Sequence, residues 1–301
     1  MSLGSTSRLQ FLQRRLVEIL TTNAWFADQT RDLQNPTMTR TNTSSFDIAR
    51  ILTETNVRHV EYHARLASTN ATALELLGPL LEDSPSLVLT GEQTSGRGRT
   101  GNLWWSSAGA LTISMVVDAS EIPLTAERRP MVSLAAGLAV RDALSGFLPE
   151  HEFVLKWPND VLTGSQKICG ILVEQHSIDQ RQGVIIGIGV NVNNSLRGAP
   201  TDVAQRATSL FDLEGRSFDL TSVLIAILRK LDHRIGQLST QPRLALSEAN
   251  RHNVLTGRTV TLKLGETELS GHCVGIDEEG HLVLQTDHGI RRCSSGIVLR
   301  W

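Results

Sequence analysis

Two runs, KICGILVEQ (Lys167–Gln175) and GVIIGIGVNV (Gly183–Val192), constrain this chain more than any other feature. Both are apolar and rich in β-branched residues, as strands within a packed sheet are. The intervening HSIDQRQ is a length suited to an antiparallel hairpin. EFVLKW, just upstream, reads as a third strand. Any fold for this chain must therefore be built around a sheet.

Other elements take their places around that core. FDIARIL from Phe46 reads as helical, and Val57, Val60 and Tyr62 suggest a strand in VRHVEYHARL. Ser68 is placed as an N-cap before ATALELL. SLVLT (Ser86–Thr90) reads as a strand leading into GEQTSGRGRTGNLW, and LTISMVVD (Leu111–Asp118) as the strand leaving it. Pro130 suits the first turn of a helix carrying Met131, Leu134, Ala135 and Leu138 on one face. A long helix follows with Leu220, Val223, Leu224, Ile227 and Leu231 in register.

After Arg251 the texture changes to short alternating strands, as in Val260, Leu262 and Leu264. These predict a small β-barrel of a size that packs on a larger domain. At the other end, Leu9, Leu12, Leu16, Ile19 and Leu20 share a helical face, and Thr21 to Ser45 is polar. The predicted organisation is an extension over 1–45, a main domain over 46–251 and a small β-domain over 252–301.

With 301 residues, 40% of them hydrophobic, there is enough material for one large core and a satellite. The net charge of -2 gives no overall basic field for nucleic acid or an anionic membrane, so anion binding must be local. Cys169, Cys273 and Cys293 lack the spacing of a zinc site or a redox dithiol. Reduced thiols, no apolar run long enough for a bilayer and no signal-peptide pattern make a cytoplasmic location the expectation.

The local anion site is sought in the loop. Gly96, Gly98 and Gly101 let backbone N–H groups approach an anion, and Arg97 and Arg99 add forked donors suited to carboxylate or phosphate. An exposed loop with two solvated arginines, or a fragment of nucleic-acid-binding RG sequence, fits those residues equally well. WPND (Trp157–Asp160) closes a strand, and KICG (Lys167–Gly170) opens the next with an ammonium beside a glycine. Alone, Lys167 also reads as an exposed turn lysine, Asn191 in GIGVN as a turn residue, and Trp104 as core packing.

Taken in order, STN (Ser68–Asn70), GRGRTGNLW, KWPND, KICGILVE and GIGVNVNN, with a β-domain ending in IVLR, resemble the biotin–protein ligases from about Val57 onward. The resemblance implies an α+β fold: a mixed β-sheet catalytic domain of the biotin/lipoate ligase type with a C-terminal SH3-like β-barrel. It implies ATP and Mg²⁺ as cofactors, biotin as substrate, formation of biotinyl-5′-AMP, and transfer of biotin to a lysine of a biotin carboxyl carrier protein domain.

Carried over residue by residue, the resemblance puts Ser68, Thr69, Asn70 and Gln93 around the biotin ureido group. It gives Arg97, Gly98 and Arg99 the biotin carboxylate and nucleotide phosphates, and Lys167 the reacting carboxylate and α-phosphate. Trp104 would lie near adenine, Asn159 and Asn191 on nucleotide or metal-linked oxygens, and Arg300 near the ATP phosphates. Gly170 would admit biotin to its strand, while Asp160 reads equally as a metal-linked carboxylate or a turn cap.

Thr100 and Asn102 stand where many bacterial relatives have arginine, which predicts weaker retention of the adenylate. A lipoate or octanoyl ligase or transferase of the same superfamily is the enzyme alternative, and a biotin-responsive repressor the regulatory one. The segment before Phe46 offers no second apolar-periodic helix, so no DNA binding is expected; no membrane partner is expected, and a homodimer is expected on the resemblance alone.

Overall fold

The computed structural model describes residues 46–122 and 130–301. The readings made for residues 1–45 lie outside the described residues. Seven strands form the main sheet or its margins: β1 (His59–His63), β2 (Ser86–Thr90), β5 (Leu111–Asp118), β6 (Phe153–Lys156), β7 (Asp160–Thr163), β8 (Gln166–Ile178) and β9 (Arg181–Val190). Between β2 and β5, the short strands β3 (Gly96–Arg97) and β4 (Leu103–Trp104) pair with each other.

The main sheet has the order β1-β2-β5-β9-β8-β7-β6. β1 and β2 are parallel and every other neighbour is antiparallel, so the sheet is mixed. The predicted β8–β9 hairpin forms, with a tighter turn than HSIDQRQ suggests. Pairing continues to Ile178↔Arg181, leaving Asp179 and Gln180 at the turn. Asp179 takes φ 52°, the left-handed conformation that two-residue hairpin turns use.

The helices are α1 (Ile48–Glu54), α2 (Thr69–Glu75), α3 (Leu77–Glu82), α4 (Pro130–Phe147), α5 (Thr201–Arg206), α6 (Leu210–Glu214), α7 (Leu220–Thr240) and α8 (Pro242–His252). On one side of the sheet, Leu87, Leu89, Ile113, Ile186 and Ile188 join buried residues of α4 and α7 in the main core. On the other, α2 and α3 bury Ala73, Leu77, Leu80 and Leu81 against Val88, Val116 and Ile185. These two short helices cover only part of that face. The uncovered rows of the sheet become the floor of a cavity.

Residues after α8 form a five-stranded antiparallel sheet, β10 (Thr259–Leu264), β11 (Thr267–Ile276), β12 (Leu282–Thr286), β13 (Gly289–Cys293) and β14 (Ile297–Arg300), in the order β13-β12-β11-β10-β14. β13 and β14 are its edges, so the ladder is an open SH3-like sheet rather than a closed barrel. It packs on the main domain through several contacts, among them buried Trp157, which donates its indole N–H to the Gly280 carbonyl at 3.0 Å, and Asn250, which exchanges two hydrogen bonds with the Ile276 backbone. Among the described residues no helix is long and apolar enough to cross a membrane.

Candidate active site

Register across six strands places one row of residues side by side: Lys156↔Asp160, Asp160↔Gly170, Gly170↔Gly189, Gly189↔Thr112 and Thr112↔Thr90. Directly opposed residues share a face, so this row runs along one side of the sheet. Two residues along the strands lies a second row, Leu172↔Gly187 and Gly187↔Ser114. Glycine at the centre of both rows leaves backbone bare where side chains from outside the sheet come down.

Asn70, on α2, occupies the space over Gly187, where an added Cβ would lie 2.1 Å from its Oδ1. That oxygen accepts a hydrogen bond from Ser114 Oγ at 2.6 Å, and Asn70 Nδ2 donates to Glu174 Oε2 at 2.7 Å. Gln93 Oε1 accepts from the Thr69 N–H at 2.8 Å and the Thr69 hydroxyl at 3.2 Å. Ser68, Thr69, Asn70 and Gln93 are all buried. Ser68 does cap α2, yet its side chain makes no capping bond, which leaves the hydroxyl free to face the cavity.

Trp104 covers the first row. A Cβ at Gly189 would meet its indole at 2.5 Å, and one at Gly170 at 3.2 Å. Its buried Nε1 has no hydrogen-bond partner, an orphan donor that a ligand acceptor would satisfy. The indole is delivered by the β3–β4 hairpin, where Gly96 pairs with Trp104 and Arg97 with Leu103. A Cβ at Gly96 would strike the Trp104 carbonyl at 2.4 Å, which makes that glycine a packing requirement. Thr100 (φ 53°) and Gly101 (φ 79°) turn the tip.

Four cations line the cavity, whose volume is about 190 Å³: Arg97, Arg99, Lys156 and Lys167. Lys167 Nζ lies 2.6 Å from Asp160 Oδ1 and 5.6 Å from the Trp104 ring centroid. Arg97 reaches Glu174 at 3.4 Å, and Arg99 reaches Asn159 Oδ1 at 3.4 Å. Asn159 also donates to the Ile171 carbonyl at 2.8 Å, tying the β6–β7 turn to β8. Burial pulls the Arg99 guanidinium below its ordinary value, with the Asp160 charge acting the other way. Cations held partly out of water in this way favour an incoming anion.

The cavity thus brings together Ser68, Thr69, Asn70, Gln93, Arg97, Gly98, Arg99, Trp104, Asn159, Asp160, Lys167 and Gly170. Asn191 and Arg300, singled out in the sequence, lie outside its lining, as do the loop glycines Gly96 and Gly101. Asn191 is buried, donating to the Thr208 carbonyl at 3.0 Å and accepting from Asn194 at 3.0 Å. Arg300, on β14, is exposed and 3.7 Å from Glu268, although its neighbours Ile297 and Val298 line the cavity. Sequence reasoning missed Lys156, Thr112, Ser114, Glu174, Gly187 and Gly189. Lys156 stood within the quoted KWPND and Glu174 within KICGILVE, but only strand register assembles them.

The arrangement is a polar buried end joined over bare glycines to a cationic end, which suits a ligand that carries both a polar group and negative charge. Residues 62–191 match the biotin/lipoate A/B protein ligase family, and residues 255–301 the biotin protein ligase C-terminal domain. The chain is 34% identical to the biotin--[acetyl-CoA-carboxylase] ligase of Mycobacterium tuberculosis, over 75% of this chain and 83% of that one. It is 32% identical to the bifunctional ligase/repressor BirA of Bacillus subtilis, over 81% of this chain and 74% of the relative. The biotin protein ligase of Aquifex aeolicus, solved with biotin and ATP, superposes with a TM-score of 0.68 at 28% identity, covering 80% of this chain and 97% of that one. The chain belongs to the biotin/lipoate A/B protein ligase family.

Proposed function

We propose that this protein is a biotin–protein ligase that joins biotin to ATP as biotinyl-5′-AMP and then transfers the biotin to one lysine of a carboxyl carrier protein. The observation that carries this reading is Lys167 above Gly170, at the junction of the buried polar end and the cationic end of one cavity. The named relatives and the Aquifex complex support it.

In this reading Ser68, Thr69, Asn70 and Gln93 receive the ureido ring, whose donors and acceptors need partners once buried. The acyl chain crosses the glycine floor and its carboxylate meets Lys167. Arg97 and Arg99, with the Gly98 backbone, draw the carboxylate and the triphosphate together, and Trp104 covers the junction. Lys167 exchanges Asp160 for the developing negative charge as the carboxylate attacks the α-phosphorus. Asp160, so released, suits a phosphate-held Mg²⁺, which requires only one or two protein carboxylates. The metal would supply further neutralisation of the phosphates.

Asn159 and Asn191 hold nucleotide-side structure in this account, and Arg300 is the cation that would leave Glu268 for the phosphates. The functional division is a catalytic domain over 46–251 and an accessory β-domain over 252–301. The test is biotin-dependent ATP–pyrophosphate exchange. Lys167→Ala is expected to lower kcat/KM on the order of 100-fold or more, as loss of a group stabilising transition-state charge does. Exchange driven by lipoate and not by biotin would assign the chain to the lipoate branch.

A further inference from the structure

We propose that Trp301 is a positioning residue that holds the Lys156 ammonium at the outer end of the cavity, where it receives the pyrophosphate leaving ATP. This rests on the ligase reading above and assigns a leaving-group site within it. The first observation is a difference among the four cations. Arg97, Arg99 and Lys167 each have an oxygen partner within 3.4 Å, whereas Lys156 has neither a hydrogen bond nor an ion pair among the described residues. Its cross-strand neighbour Asp160 is occupied by Lys167. Burial draws the Lys156 ammonium below its ordinary value, and the Lys167 and Arg206 charges add to that, against the pull of Asp160. A cation half out of water and without an anion is costly until a ligand supplies one.

The second observation is where the residue sits. Lys156 ends the row that continues through Asp160 to Gly170, so it stands two strand spacings, about 10 Å, from the glycine under Lys167. If carboxylate and α-phosphate meet at Lys167, the outer phosphates extend along the row towards Lys156. In the step itself a carboxylate oxygen bonds to the α-phosphorus while the bond from that phosphorus to the bridging oxygen breaks. Pyrophosphate departs with the electron pair, no proton moves, and the charge it gains is what an ammonium offsets.

The third observation is the contact that holds Lys156. Its Nζ lies 5.7 Å from the centroid of the Trp301 ring, which also carries the Arg258 guanidinium at 4.8 Å. A ring face restrains a flexible lysine stem and favours its charge without using any of its N–H donors. All three stay available for phosphate oxygens. Trp301 directly follows β14, the strand whose Ile297 and Val298 line the cavity, so the C-terminal sheet contributes to the site through this clasp.

Calorimetric titration of the full chain with inorganic pyrophosphate, beside exchange kinetics, tests the proposal. Lys156→Gln is expected to weaken pyrophosphate binding roughly 10- to 100-fold, the range for a lost hydrogen bond to a charged group, and to raise KM for ATP while biotin affinity holds. Trp301→Ala should weaken pyrophosphate about 2- to 5-fold, the worth of an exposed cation–π contact, and Trp301→Phe should recover most of that. Wild-type pyrophosphate affinity in K156Q, or equal loss in the Phe and Ala variants at position 301, would overturn it. The two readings fail separately: absence of biotin-dependent exchange in the wild-type protein overturns the ligase assignment, whereas the titration alone decides Lys156.

Discussion

At the scale of single residues, Gly187 carries the most testable consequence. Its missing side chain is the space Asn70 occupies, and Asn70 in turn holds Ser114 and Glu174. Gly187→Ala would press a methyl into the carboxamide and break the 2.6 Å bond to Ser114. Displacing one buried hydrogen-bonding group costs about 1–3 kcal/mol, so biotin affinity should fall roughly 5-fold or more. Calorimetry with biotin on a variant of unchanged circular dichroism checks this; undiminished affinity would show that Asn70 is not part of the biotin pocket. The role of Gly187 was not legible in GIGVN, because a glycine in a strand advertises a close approach without naming what approaches.

Among the elements, α7 depends on its cap. Asp219 accepts from the Thr221 and Ser222 backbone N–H groups and from the Ser222 hydroxyl at 2.6 Å. The Ser222 hydroxyl is the leading reason its carboxyl lies below the usual value, with burial opposing. A depressed folded value means that the cap stabilises above the unfolded carboxylate range, near pH ~3.9, and is lost as pH falls through the folded value. Asp219→Ala should therefore cost about 1 kcal/mol at neutral pH and less once the carboxyl is protonated, because the neutral acid still offers a carbonyl oxygen to the backbone N–H groups. Thermal melts at both pH values would show a gap that narrows in acid; a gap of unchanged size would contradict the charge-assisted capping account. Elements were well signalled where local chemistry marks them: β2 and β5 begin and end where SLVLT and LTISMVVD do, and α4 opens at Pro130. β7 was missed because DVLT is too short for alternation to show, and it follows directly on a turn signal. The β3–β4 hairpin hid within a glycine-rich stretch whose pairing is only two residues deep. Most of the site's residues could be found as motifs, but which of them adjoin is a matter of register, which is non-local.

For the whole molecule, the C-terminal sheet is tied to the β6–β7 turn by Trp157, whose buried indole donates to the Gly280 carbonyl. Trp157→Phe keeps a ring in the core but leaves that carbonyl without its donor. A loss of about 1–3 kcal/mol is expected, with faster amide exchange around residues 277–281. Unchanged exchange there would mean that the small sheet is held by other contacts. The glycine floor has a last consequence for how such a site can change. The two rows beneath the cavity lie two residues apart along their strands, about 7 Å. A slip of one residue would turn the glycines to the opposite face, so the floor can be lengthened or shortened only in paired steps. The sheet is in that sense a ruler with coarse graduations, whose bare marks move by two residues at a time and never by one.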